Sequence, residues 1–313
     1  MIGLAHVYVL VGILFAIVAA MSAADTANPK RIVNVGFWGL YAASFLAGDI
    51  LGDFGNGILV LAMAGLAAYP GLGIGRPKTT SPEERRALAA KHGNLLFVPS
   101  LAISLVTLTG SFALRSVPFV DPAQATLVSL ALGAGTGLLF ARFFLQQRIA
   151  DALQEGRRLI DTIGWAALLP QMLAALGAVF ALSGVGRAVG EIASLSIPGD
   201  SRFAAVAAYC IGMAAFTAIM GNAFAAFPVL TAGIGLPLIV MKFGGNPAIM
   251  ASIGMLAGFC GTLVTPMAAN FNLVPVALLG IKDRYAIIKV QLPTAGVLLL
   301  FNTVLMYVLV FRF

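Results

Sequence analysis

The chain has 313 residues, of which 60% are hydrophobic and only 10% charged, with a mean hydropathy of +0.99. A soluble domain carries about 25% charged residues, so a water-soluble globule is excluded. The net charge of +7 is spread over short loops between apolar runs, which is a membrane orientation signal and not a nucleic-acid surface.

An apolar run of about 20 residues crosses a hydrocarbon core as a helix. Such runs occupy residues 2–23, 35–54, 56–75, 93–114, 125–145 and 165–186. The first lacks a basic leader and has the length of a span, which predicts a membrane helix instead of a cleaved signal. The loop after the third run contains Ser81-Pro82-Glu83-Glu84. A Ser N-cap, Pro at the first position and Glu at the third predict a short surface helix there.

The pattern changes after residue 202. Residues 203–241 are apolar but interrupted at "MGNAFAAFPV", and 247–281 are apolar but interrupted at "CGTLVTPMAANFN"; a last run covers 294–313. Two spans within 247–281 would each fall short of the length needed, and one straight helix would reach about 52 Å against a core of roughly 30 Å. One crossing built of two half-helices joined by extended chain fits better. The expectation is an all-α polytopic membrane protein with about eight crossings plus a re-entrant hairpin and a broken helix. It divides into a scaffold bundle (1–190) and a C-terminal transport unit (202–313).

Basic residues set the orientation. Lys30, Arg31, Arg76, Lys78, Arg85, Arg86, Lys91, Arg142, Arg148, Arg157 and Arg158 fall in odd-numbered loops; only Arg115, Arg187 and Arg202 fall in even ones. With a single broken crossing, Lys282, Arg284 and Lys289 join the odd loops, and Lys242 and Arg312 the even ones. Both termini are then external.

Irregular backbone at membrane depth leaves unpaired N–H and C=O groups, each costing several kcal/mol in hydrocarbon. It persists where protein, water or a ligand satisfies them. The first interruption offers Gly221, Asn222 and Pro228, the last expected to stop the helix; the second offers Gly261, Thr262, Thr265, Pro266, Asn270 and Asn272. Half-helix N-termini suit a carboxylate, whereas half-helix C-termini, unwound carbonyls and Thr or Asn oxygens suit a small cation. The residues thus predict a substrate site of Gly221, Asn222, Thr262, Thr265, Asn270 and Asn272, with Asn222, Gly261 and Thr265 touching an ion. Between Arg202 and Lys282 the only charge is Lys242. A proton-coupled site needs a titratable group, so Na⁺ is the expected coupling ion unless a partner chain supplies a carboxylate, and no other cofactor is implied.

Other polar residues read as structural. Asp49 and Asp53 share a helical face at the outer end of a span, where carboxylates are cheaply solvated. His6 and His92 cannot form a metal site together, and Cys210 and Cys260, both in apolar segments, imply no disulfide framework.

The pieces "FWGLYAASFLAGDILGDF", "GNAFAAFPVLTAGIG" and "GTLVTPMAANFN" resemble the bacterial membrane family known as the larger of two subunits of a 5-oxoproline (pyroglutamate) transporter. That resemblance implies inner-membrane localisation, a smaller membrane subunit as partner, and a small organic anion as substrate. The hairpin and broken helix also resemble one repeat of the ion-transporter superfamily, whose two inverted repeats share a midplane site. On that basis Asn222 takes the hairpin-tip position and Thr265 with Asn270 the broken-helix position. Residues 1–190 hold no comparable counterpart beyond "LVTLTGSFAL" (105–114), so the second repeat is expected from a partner chain. The competing readings are a membrane enzyme acting on lipid or peptide and a non-transporting scaffold subunit. No His–Glu cluster or Ser–His arrangement supports the enzyme.

Overall fold

The computed structural model describes residues 2–75, 80–145, 148–196 and 201–312; Arg76 and Lys78 lie outside them. The described residues are helical, and eight of their helices are long and apolar enough to cross a membrane. The protein is an all-α multi-pass membrane protein. Its chain divides into two compact units, Met1–Gly164 and Trp165–Phe313.

In the first unit α1 (Leu4–Ala24) packs on α2 (Arg31–Ala68). Gly52 breaks α2 with φ 62° and ψ −175°, a conformation essentially reserved for glycine. The chain folds back there: a Cβ on Gly36 would lie 3.2 Å from Leu66, and Lys30 Nζ donates to the Pro70 carbonyl at 2.6 Å. The runs 35–54 and 56–75 are therefore two arms of a tight hairpin. Asp49 and Asp53 are exposed at its bend, where the sequence pattern put them. Asn56 closes the bend by donating to the carbonyls of Gly48 and Gly52. Phe15 of α1 stacks against Trp38 and Phe45 of α2.

The surface helix α3 (Pro82–His92) starts on the expected capping box. The Glu84 N–H donates to Ser81 Oγ at 3.1 Å, and the Ser81 N–H donates to Glu84 Oε2 at 2.7 Å. Helices α4 (Val98–Ala113) and α5 (Ala125–Phe144) pair closely because Gly133 and Gly137 let the backbone of α4 approach. Ile2 hydrogen-bonds Phe119 and Asp121, so the amino end of α1 and the α4–α5 loop share one end of the unit. Helix α6 (Ile149–Ile163), carrying Asp151, Glu155, Arg157, Arg158 and Asp161, lies at the other.

A buried polar cluster ties that second end together. Arg157 bridges to the Asp25 carboxylate and donates to the Met21 carbonyl at 3.0 Å. Its Nε stands 3.3 Å from Asp161 Oδ2, close enough for an ion pair though poorly aligned for a hydrogen bond. Trp38 Nε1 donates to Asp161 at 2.9 Å, and Asn34 exchanges hydrogen bonds with Gly73. Arg157 and Asp161 are only 7% and 6% exposed. The first loop, the third loop and α6 thus meet at one end, as alternating crossings require.

The second unit is built around a hairpin and a broken helix. Helix α7 (Leu169–Leu182) turns at Gly184 into α8 (Val185–Ser196), a helix the residue pattern did not anticipate. Both pack on the hairpin through glycine: a Cβ on Gly177 would lie 2.9 Å from Ala225, and one on Gly190 would lie 2.8 Å from the Gly233 carbonyl. For that reason the chain divides at 164/165, with α7 and α8 beside the hairpin they cover.

The hairpin comprises α9 (Arg202–Met220), α10 (Ala223–Leu230) and a π-helical continuation, Thr231–Lys242. Pro228 does not end the helix, contrary to the sequence expectation. The chain runs through it and widens into a π-helix that also contains Pro237. A proline removes one N–H donor, and the Thr231 N–H turns to the carbonyls of both Phe227 and Pro228. With 19 and 20 residues, the arms have the length of full crossings.

The second segment consists of α11 (Pro247–Leu263), an irregular stretch, then α12 (Ala269–Asn272) and α13 (Val274–Leu279). The break is a fold-back and not the extended linker expected, because Asn272 reaches the carbonyls of Thr262 and Thr265. Helix α14 (Ala286–Leu309) returns along α11, and Asn246 donates its N–H to the Val310 carbonyl at 2.8 Å.

Replacing Arg157 by Ala strands two buried carboxylates. The expected cost is about 3–5 kcal/mol, seen as a large fall in the melting temperature of the detergent-solubilised protein. Glu155→Ala, which breaks the half-exposed pair with Arg158, should barely move it.

Candidate functional site: the hairpin tip and the helix break

Helix α9 ends because Gly221 adopts the left-handed conformation (φ 78°, ψ 1°) and donates its N–H to the Thr217 carbonyl at 2.6 Å. Asn222 is extended, and its Oδ1 accepts from the Phe224 N–H at 2.8 Å, opening α10. Two residues therefore turn the chain: one stops a helix and the other starts the next.

This tip rests on the break in the neighbouring segment. A Cβ on Gly221 would lie 2.6 Å from the carbonyl carbon and oxygen of Met267. The break has its own logic. Pro266 disfavours helix at Thr265; Thr265 Oγ1 accepts from the Met267 N–H at 3.2 Å. Asn272 Nδ2 donates to the carbonyls of Thr262 at 2.8 Å and Thr265 at 2.7 Å. Carbonyls orphaned by the end of α11 are thus partly satisfied by one buried amide.

Helices α9 and α11 run side by side toward this point, held close by small residues. Gly254 lies under Tyr209, Gly258 beside Met213 and Thr217, and Gly261 against the Ala214 carbonyl. No side chain fits at Gly261, so its smallness serves backbone packing. The same register sets Thr217 level with Thr262.

Three oxygens here are buried without a hydrogen-bond partner: Thr217 Oγ1, Thr262 Oγ1 and Asn272 Oδ1. Their residues are 0%, 5% and 0% exposed. Leaving a buried acceptor unpaired costs about 1–3 kcal/mol, so such groups are uncommon and each calls for an explanation. The C-termini of α9 and α11 add partial negative charge at the same level. The arrangement offers neutral oxygens and helix carbonyl ends on one side, and the amino end of α10 with its Asn222 cap on the other.

Of the residues singled out from the sequence, the structure brings together Gly221, Gly261, Thr262, Thr265 and Asn272. Asn222 is half-buried at the tip, its oxygen engaged by the cap. Asn270, two residues before Asn272, is exposed. Sequence reasoning missed Thr217. Its signal was a hydroxyl one turn before Gly221 in an otherwise apolar helix, which is ambiguous because such hydroxyls often bond their own helix. Also missed was the contact from Tyr209 Oη to Thr231 Oγ1 at 3.0 Å, across the hairpin arms.

Elsewhere, His6 accepts from the Gly3 N–H at 3.4 Å, and no group of three or more His, Cys, Asp or Glu able to hold a metal occurs among the described residues. Cys210 and Cys260 are both free and buried.

Fold and site together define a helical membrane protein in which a polar hairpin tip abuts an unwound helix. Residues 5–311 match the model of the family described as "Protein of unknown function (DUF979)", and the chain belongs to that family. No curated protein and no solved structure matches it.

Gly221→Ala should destabilise more than Gly244→Ala. Both positions have positive φ, 78° and 70°, but a Cβ at Gly244 meets nothing within 4 Å. The Gly244 variant should lose about 1–2 kcal/mol from the left-handed conformation alone, whereas the Gly221 variant must also move the Met267 backbone. Thermal unfolding of the two proteins in the same detergent decides the order.

Proposed function

We propose that this chain is a subunit of a secondary active transporter for a small organic anion, with 5-oxoproline as the substrate and Na⁺ as the coupling ion. The observation that carries this reading is the tip of the hairpin lying on the helix break, with three unpartnered buried oxygens beside the ends of α9 and α11. Discontinuous helices meeting at one place are how many secondary transporters hold substrate and ion together.

The chemistry divides between two sides of the contact. Thr217, Thr262 and Asn272 present neutral oxygens next to helix carbonyl ends, which suits a small monovalent cation; a divalent ion calls for carboxylates, and the segment from Phe203 to Ile281 has none. The amino end of α10 and the Asn222 amide suit a carboxylate without a full positive charge. A substrate lactam would meet asparagine amides, Asn270 among them. The substrate itself is taken from the family resemblance of the sequence, as is the smaller membrane subunit expected beside this chain.

Orientation belongs to the same proposal. Arg202 lies over Phe311 and Lys242 over Phe243, and Phe243 contacts Phe311, so these cations share one end of the second unit. We place that end outside and Lys282, Arg284 and Lys289 inside, in a bacterial inner membrane.

Uptake of labelled 5-oxoproline into proteoliposomes holding this chain and its smaller partner should follow an inward Na⁺ gradient. The triple variant Asn222→Ala, Thr265→Val, Asn270→Ala should lose at least roughly tenfold in uptake. Thr217→Val with Thr262→Val should raise the Na⁺ concentration needed for half-maximal rate. Unchanged uptake by the triple variant would refute the site. Full uptake by the partner alone would make this chain a scaffold.

A further inference from the structure

Between α9, α11 and α14 lies a crevice of about 270 Å³. Ala214, Ala215 and Ala218 form one wall, Gly261 the floor, and Ala295 and Gly296 the other wall. Its lining is almost wholly apolar, without the convergent polar groups that hold a polar small molecule. It borders the hairpin tip at Gly261 but lacks that site's buried oxygens, so its occupant differs in kind from the cargo proposed for the tip. The crevice opens outward. Ile211 and Leu292 at its rim are 55% and 56% exposed, and Ala215 and Gly296 are exposed as well. In a multi-pass membrane protein an apolar opening along membrane-crossing helices lies at the depth of the hydrocarbon layer.

Charge identifies the occupant. Leu292 at the mouth lies one turn along α14 from Lys289, and Lys282 and Arg284 sit in the turn just before the helix. All three are exposed, and the only acid among them, Asp283, pairs with Lys289 at 2.8 Å. The Arg284 guanidinium lies 5.3 Å from the ring centre of the exposed Tyr285, within the range of a cation–π contact. Aromatic and basic residues together mark the depth of lipid headgroups.

We infer that this crevice holds an acyl chain of an anionic phospholipid whose phosphate rests on Lys282, Arg284 and Lys289. A trough of small side chains accepts a flexible hydrocarbon chain where a larger side chain would close it. A surplus of positive charge one turn away selects the headgroup; each basic residue near a membrane surface contributes about fivefold in affinity for acidic lipid. The bound chain lies against Gly261 and Ala214, directly behind the hairpin tip, where its presence or absence bears on how α9 and α11 pack.

The test uses the purified full-length protein in nanodiscs with a photoreactive diazirine in the acyl chain of phosphatidylglycerol or phosphatidylcholine. Phosphatidylglycerol should label peptides spanning 211–218 and 292–299 several-fold more than phosphatidylcholine does. Gly296→Leu should remove that labelling, because Gly296 lines the crevice and a Cβ there meets no neighbour within 4 Å. Ala215→Leu provides the same block from the opposite wall should the first variant misfold. Lys282→Gln with Arg284→Gln and Lys289→Gln should leave labelling but abolish the preference between lipids. Equal labelling by both lipids in the wild type, or labelling that survives both blocking variants, would overturn the inference. So would a co-purifying membrane protein that excludes lipid from the crevice and is itself lost in Gly296→Leu.

Discussion

The contact between Gly221 and the Met267 carbonyl is the constraint on which the C-terminal unit depends. An apolar medium allows main-chain polar groups to go unpaired only at a cost of several kcal/mol each. Here two interruptions of regular helix are brought against each other, and much of the satisfaction is local. Gly221 returns its N–H to Thr217, Asn222 caps α10, and Asn272 takes two carbonyls of the α11 end. Only glycine allows both the left-handed turn and the approach to Met267. What remains unpaired is a small set of side-chain oxygens.

The rest of the unit is arranged to hold that contact. Glycines at 254, 258 and 261 bring α11 close against α9, while Gly177, Gly186 and Gly190 bring α7 and α8 against the hairpin's return arm. Without a hydrophobic driving force between helices in lipid, small residues and close backbone packing supply the cohesion. The π-helical return arm serves the same end. Two prolines remove donors within it, and wide turns of this kind recur at functional sites.

The first unit is organised differently. Its polar cluster is charged, with Arg157 between Asp25 and Asp161 and with Trp38 and Asn34 donating to Asp161. The cluster gathers two loops and α6 at one end, and it is more fully satisfied than the hairpin contact. A buried ion pair of this kind specifies an arrangement more than it adds stability. The polar interior of the first unit thus fastens loops, while that of the second leaves acceptors open.

Sequence alone determined the class of protein, the place of nearly every apolar run, the capping box at Ser81, and both interruptions, because burial in lipid writes itself directly into hydropathy and into Gly, Pro and Asn usage. It could not decide that Asn272 folds back onto Thr262 and Thr265, that Asn270 two residues before it faces out, or that Thr217 is left unpaired. Those outcomes depend on which face of one helix meets another, and a uniformly apolar helix carries little periodic signal to show it. Pro228 is the clearest case. Its local effect is to remove a donor, and only the surrounding packing settled that the chain would continue as a wider helix instead of stopping.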